Sequence, residues 1–207
     1  MKFSVEKARA AQLLLSKQVI CKDCLPKTIK YVSGVDVAYC EGISVGAVAV
    51  VDFNSLAPIE SQVACCKTRF PYIPTFLSFR EVSPTILAIK KLRTQPDVFL
   101  VDGQGVAHPR RFGFASHLGL AVDKPTIGVA KSLLCGEIGR FNYRRVAPIT
   151  DKGEIIGAAV VTFFGEKPVY VSVGHKVSLN RAIAVVKHCA HEKRIPEPIL
   201  QAHRIAN

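Results

Sequence analysis

Three acidic residues stand where the pattern around them is apolar or where a buried element ends. In YVSGVDVAYC, period-2 alternation puts Val32, Gly34, Asp36, Ala38 and Cys40 on one strand face, so Asp36 sits among small and apolar side chains. A carboxylate buried there is costly unless it is hydrogen-bonded, protonated or holding a cation; a solvated strand end or a backbone cap are the other readings. Asp102 closes the apolar run Val98 to Val101, at the strand end where α/β sheets place their ligands, although an Asp followed by Gly103 and Gly105 also makes a plain turn. Glu81, in SFRE, reads as a first-turn helix charge or as the partner of Arg80. Together the three acids supply the hard oxygen ligands that suit Mg²⁺. Two such ions about 4 Å apart can stabilise the attacking and leaving oxygens of phosphodiester hydrolysis.

Other groups could serve the same chemistry. His108-Pro109-Arg110-Arg111 follows Asp102 closely and offers a histidine and two cations to a phosphate, or a histidine that packs a loop. Lys131 comes just after TIGVA, on the same sheet edge as Asp102, where a point charge would meet a scissile phosphate. His117 falls on a helix and reads as structural, and His203, in LQAHR, has little local warrant. The loop Pro71-Tyr72-Ile73-Pro74 joins an aromatic to two stiff prolines, either a rigid packed loop or a projection able to wedge between bases.

These residues need elements to hold them. Helix formers without Gly or Pro predict a helix over 3–19, and the β-branched alternation in YVSGVDVAY, ISVGAVAVVD and IESQVACCKTRF predicts an antiparallel meander. TILAIKKLRT has helical period, with Ser83 placed to cap it and Pro84 in its first turn. DVFLVD, FGFASHLGLAV and TIGVA follow as strand, helix and strand. IIGAAVVTFF and VYVSVG are two further strands, and helices are expected from Leu179 to about His191 and from Pro196 to Ala206. A meander followed by alternating α and β elements predicts an α/β fold with a mixed sheet flanked by helices, of the ribonuclease H-like order. With no repeat or linker, residues 1–207 are expected to form one domain.

Composition narrows the partners. The 207 residues carry 28 Lys plus Arg against 16 Asp plus Glu, a net charge of +12 that favours a polyanion over a neutral surface. At 49% hydrophobic the chain can build a core and is too apolar for disorder. Its longest uncharged apolar runs fall short of the ~18–20 residues that cross a bilayer, and the dispersed cations argue against a membrane surface. With no export signal at its start, the chain is expected in the cytoplasm. Its seven cysteines are expected to be reduced and mostly buried, and Cys21-x-x-Cys24 lacks the second pair that a zinc site needs.

The motifs are familiar as a set. YVSGVDVAY, RFPYIPTFLSFRE, DGQGVAHPRRFGFASHLGL and IGVAKSLL resemble, in order and interval, the signature blocks of endonuclease V, the inosine-directed nuclease family, and VSVGHKVSL and PEPILQAH extend the likeness over nearly the whole chain. The resemblance implies a ribonuclease H-like fold and a monomer acting on deoxyinosine-containing DNA or inosine-containing RNA. It implies Mg²⁺-dependent cleavage, with Mn²⁺ as a substitute, of the second phosphodiester bond 3′ to hypoxanthine, leaving 3′-hydroxyl and 5′-phosphate ends. Asp36, Glu81 and Asp102 would take the metal positions, with His203 near the metal. Lys131, His108 and Arg110 would lie on the phosphate side. Pro71, Tyr72, Ile73 and Pro74 would form the strand-separating wedge, and Gly103 and Gly105 the backbone-lined pocket for a flipped base. One departure stands out: the family usually has glycine after PYIP, and this chain has Thr75. A ribonuclease H-like nuclease of another kind, such as a resolvase or an RNA-strand nuclease, would use the same acids without a wedge, and a non-catalytic nucleic-acid-binding protein would use only the basic surface.

Overall fold

A computed structural model of the chain describes residues 4–191 and 193–207. The first helix, α1 (Val5–Ser16), starts where Ser4 Oγ accepts the Lys7 N–H at 3.2 Å; Phe3, part of the expected helix, lies outside the described residues. The meander follows as β1 (Tyr31–Cys40), β2 (Ile43–Asp52) and β3 (Pro58–Lys67). After α2 (Ser78–Ile89) come β4 (Val98–Asp102), α3 (Phe114–Val122) and β5 (Thr126–Ala130). The chain continues through β6 (Glu137–Ile138), β7 (Val146–Asp151), β8 (Glu154–Val160) and β9 (Val169–His175) to α4 (Leu179–Ala190) and α5 (Glu197–Ala206).

The strands form one sheet in the order β3-β2-β1-β4-β5-β9-β8-β7-β6. Its pairs β1 with β4 and β4 with β5 are parallel and the others antiparallel, which gives the expected mixed sheet. Alternation divides its two faces. Val35, Val48, Phe99 and Val101 pack with Val82 of α2 and Leu118 of α3, while Val32, Leu100 and Ile127 pack with Val186 of α4 and Ile199 of α5. Gly34 therefore shares the α5 face with Asp36. A Cβ on Gly34 would lie 1.9 Å from the Pro198 carbonyl oxygen, and one on Gly46 would lie 2.5 Å from that of Pro84, so both helices reach backbone contact with the meander.

Several boundaries differ from the sequence reading. The helix expected to start around Ser83 starts at Ser78, with Pro84 inside it. Ser83 and Pro84 have the cap and first-turn preferences of a helix start, but burial of Ser78, Val82 and Thr85 on the sheet begins the helix a turn and more earlier. β6 and β7 had no counterpart: Pro148 weakens the strand pattern of β7, yet it sits beside a two-residue edge strand, where a missing N–H costs little. β3 stops at Lys67 short of Phe70, β8 stops at Val160 short of Phe164, and α3 begins at Phe114. The cysteines correct another expectation. All seven are free thiols, but Cys21, Cys24, Cys40 and Cys65 are exposed and only Cys189 is buried.

Gly34→Ala should force α5 away from β1, lowering stability by about 1–3 kcal/mol, as overpacking does. Urea unfolding measures this, and an unchanged midpoint would show that the contact can relax freely.

Candidate active site

The parallel pairing brings the carboxyl ends of β1, β4 and β5 to one edge. Asp102 ends β4, and its Oδ2 lies 2.5 Å from Nζ of Lys131, the residue after β5. Asp36 Oδ2 lies 2.7 Å from Nδ1 of His203 on α5, and its Oδ1 accepts the Val37 N–H at 2.9 Å. Glu81 enters from α2, on the opposite face, only 7% exposed, and accepts the Tyr39 O–H at 3.0 Å. The Arg80 guanidinium lies 3.8 Å over the Tyr39 ring.

Electrostatics ties the three acids together. Burial pushes the Glu81 carboxyl up to about 8 against the pull of the Tyr39 hydrogen bond, and the charges of Asp36 and Asp102 add to the rise. Burial also raises Asp102, opposed chiefly by Lys131 and reinforced by Asp36. Among the described residues no three His, Cys, Asp or Glu side chains gather closely enough to grip an ion as they stand. The donors are nevertheless hard oxygens in a mutually repulsive group, and a buried carboxyl that keeps its proton to about 8 is one that a divalent cation would relieve.

Beside Asp102 and Lys131 opens a cavity of about 330 Å³ walled by Tyr72, Pro74, Gln104, Phe112 and Leu134. Two polar atoms of its lining residues are buried without a hydrogen-bond partner, Ser78 Oγ and Gln104 Oε1. Gln104 Nε2 donates to the Ser132 carbonyl at 2.9 Å, which turns the amide so that its oxygen is the spare group. Unsatisfied buried groups are rare, and a cavity that has them suits a ligand carrying matching donors. Sequence reasoning missed both residues, although Gln104 lies between two glycines it did single out. Gly103 lines the cavity, but Gly105 does not: its N–H donates to Ser172 Oγ at 2.9 Å, and a Cβ there would lie 2.0 Å from the Val173 carbonyl oxygen.

Tyr72 is 68% exposed at the cavity mouth, flanked by exposed Pro71 and Pro74 and half-buried Ile73. The loop is held at Thr75, which has φ 69, a left-handed conformation costing a β-branched residue about 1–3 kcal/mol. Its carbonyl accepts from Gln12 Nε2 at 2.9 Å, His108 Nε2 at 3.0 Å and the Arg110 guanidinium at 3.0 Å, and its hydroxyl accepts from Arg110 as well. Arg110 Nε in turn donates to Gln12 Oε1, and the guanidinium lies 4.4 Å over Phe76. His108 is buried, its Nδ1 accepts the Arg110 N–H, and burial brings it down to about 4, so it is neutral with the proton on Nε2. In this structure, then, His108 and Arg110 clamp the loop. His117 packs against Phe79 and Phe112, each 5.2 Å away, in keeping with a structural role.

Comparison with known proteins adds an independent line. The endonuclease V family model matches residues 14–204. Endonuclease V of Thermofilum pendens is 47% identical over 205 residues, 99% of this chain and 88% of that protein. The crystal structure of endonuclease V from Streptomyces avermitilis superposes with a TM-score of 0.92 at 38% identity, covering 99% of this chain and 92% of that one, so the ribonuclease H-like mixed sheet flanked by helices is a fold the two share. Endonuclease V of Ciona intestinalis, in complex with a 24mer DNA containing an inosine followed by a ribo-adenosine, has a TM-score of 0.84 at 32% identity, covering 98% and 95%.

Two outcomes follow from the geometry. Glu81 titrates near 8 folded against 4.5 normally, so between those values the folded chain binds the extra proton and stability in EDTA falls as pH rises. Glu81→Gln removes that titration: its Tm should match the parent near pH 5 and exceed it by at least about 4 °C at pH 8, and equal pH slopes would refute the buried carboxyl. Arg110→Leu should cost about 1.5–3 kcal/mol and speed amide exchange at Phe76, whose N–H bonds the Ile73 carbonyl; unaltered exchange there would mean the clamp does not hold the loop.

Proposed function

The chain belongs to the endonuclease V family, and on that premise we propose that it is a Mg²⁺-dependent endonuclease that recognises hypoxanthine in DNA or RNA. It hydrolyses the second phosphodiester bond 3′ to the altered base, leaving 3′-hydroxyl and 5′-phosphate ends and so opening repair of deaminated adenine. The observation that carries this reading is the coupling of Asp36, Glu81 and Asp102 at one sheet edge, beside a cavity of about 330 Å³ whose lining residues Ser78 and Gln104 each keep a buried polar atom without a partner.

Asp36, Glu81 and Asp102 would hold Mg²⁺, or Mn²⁺ in its place. When bound, the ion supplies Lewis acidity, offsetting phosphate charge and making water a better nucleophile. Lys131, whose ammonium holds Asp102, offers its charge to a phosphate oxygen, and His203, whose Nδ1 is taken up in orienting Asp36, would exchange a proton through Nε2. The cavity receives the extruded base. Gln104 Oε1 is an acceptor, which matches the N1–H of hypoxanthine and mismatches the bare N1 of adenine. Tyr72, on its clamped loop, fills the gap in the stack. His108 and Arg110 act here by fixing that loop.

The test uses end-labelled oligonucleotides with one internal hypoxanthine, as DNA and as RNA, with Mg²⁺ or EDTA. A single Mg²⁺-dependent cut one nucleotide beyond the lesion's 3′ linkage is expected, and Asp102→Asn should bind normally while cutting at least about a hundredfold more slowly. Cuts unrelated to hypoxanthine would favour another ribonuclease H-like nuclease, and tight binding without a cut a non-catalytic binder.

A further inference from the structure

The sheet edge that carries the acids extends beyond them. Ala130 of β5 pairs with Tyr170 of β9, Val169 with Val160 of β8, and Val160 with Val146 of β7. The segments 139–145 and 161–168 therefore project from the same edge as Asp102. Four inter-strand steps separate β4 from β7, about 19 Å at ~4.8 Å each. These segments expose Tyr143 at 87%, Phe164 at 75%, Phe141 at 47% and Phe163 at 43%.

Cations interleave with the rings. The Arg145 guanidinium lies 4.7 Å over Phe164 and that of Arg144 5.4 Å over Tyr143. The two segments hold Arg140, Arg144, Arg145 and Lys167 against one acid, Glu166. Their backbone is ordered before any partner arrives. Asn142 Oδ1 accepts the N–H groups of Arg144 and Val146, the Asn142 N–H donates to the Val146 carbonyl, and Lys187 Nζ donates to the Arg144 carbonyl at 2.8 Å. Arg194 binds the carbonyls of Lys131, Lys167 and Pro168 and so joins the 161–168 segment to the acid site. Exposed rings stacked by guanidinium groups on a basic surface are suited to bases and phosphates of one strand, and less to an apolar protein partner.

We propose that Tyr143, Phe164, Arg144 and Arg145 form a second strand-binding platform, on which the substrate strand lies about five to six nucleotides from the cut, at the ~3.4 Å rise of one strand. The platform rests on the nuclease reading only for the strand's passage over the acids.

The test measures binding by fluorescence anisotropy for single-stranded oligonucleotides, with and without hypoxanthine, trimmed from either end to about three nucleotides on one side of the centre, half the proposed span. Tyr143→Ala with Phe164→Ala should weaken binding of long strands on the order of tenfold and leave the strands trimmed on one side unaffected. Arg144→Gln with Arg145→Gln should lower the salt slope by about 1.4 on long strands alone, at ~0.7 for each phosphate contact on a single strand. Cleavage of a trimmed hypoxanthine strand should be unchanged in both. Equal losses at every length, or none, would overturn the platform. Because undamaged strands report on the surface by themselves, failure of the unaltered chain to cut at hypoxanthine would overturn the nuclease reading separately.

Discussion

Repulsion among three carboxylates at one end of the sheet is the constraint around which the chain is arranged. Parallel pairing carries Asp36 and Asp102 to the same edge on neighbouring strands, and Glu81 arrives from a helix on the other face. Each is held by a group from a different element: Lys131 after β5, His203 on α5 and Tyr39 on β1. That arrangement depends on glycine. With side chains at Gly34 and Gly46, neither α5 nor α2 could come to backbone contact with the meander, and His203 and Glu81 would stand off from the edge they serve. The cost of crowding like charges is thus borne by packing in the core.

The basic charge of the chain is not spread evenly over one task. In His108-Pro109-Arg110-Arg111, a run that suggests a phosphate site, all three ionisable side chains are engaged within the protein. His108 and Arg110 bind Thr75, while Arg111 pairs with Asp151 at 2.9 Å and Glu154 at 3.1 Å across the β7–β8 hairpin. Cations with exposed side chains along the acid edge include Lys131, Arg140, Arg144, Arg145 and Lys167. Local charge near a site therefore stabilises the scaffold, and the groups left for a polyanion lie along the edge itself.

Much of this was legible in sequence because it rests on local periodicity. Alternation placed Asp36 with Gly34 on one face, and the apolar run before Asp102 marked a strand ending in a carboxylate. What was not legible depends on distant contacts. The Thr75 clamp joins residues 33, 35 and 98 positions apart, a separation at which no local pattern survives. The start of α2 was hidden because Pro84 reads as a boundary until the helix is seen packed on β2. Gln104 and Ser78 carry no local signal, because lining one cavity and lacking a hydrogen-bond partner are properties of the folded chain alone.

Thr75 shows why rigidity matters at such a site. Extruding a base costs unstacking energy, a few kcal/mol that is least at a mispaired position. A loop that had to order itself while taking the base's place would add its own conformational cost to that sum. Here the ordering is done beforehand. A threonine held at φ 69 by Gln12, His108 and Arg110 leaves the Tyr72 loop little freedom to lose on binding. The strain at Thr75 is met within the folded protein, so on the proposed function the binding energy of a substrate would go into separating the strand rather than into shaping the Tyr72 loop.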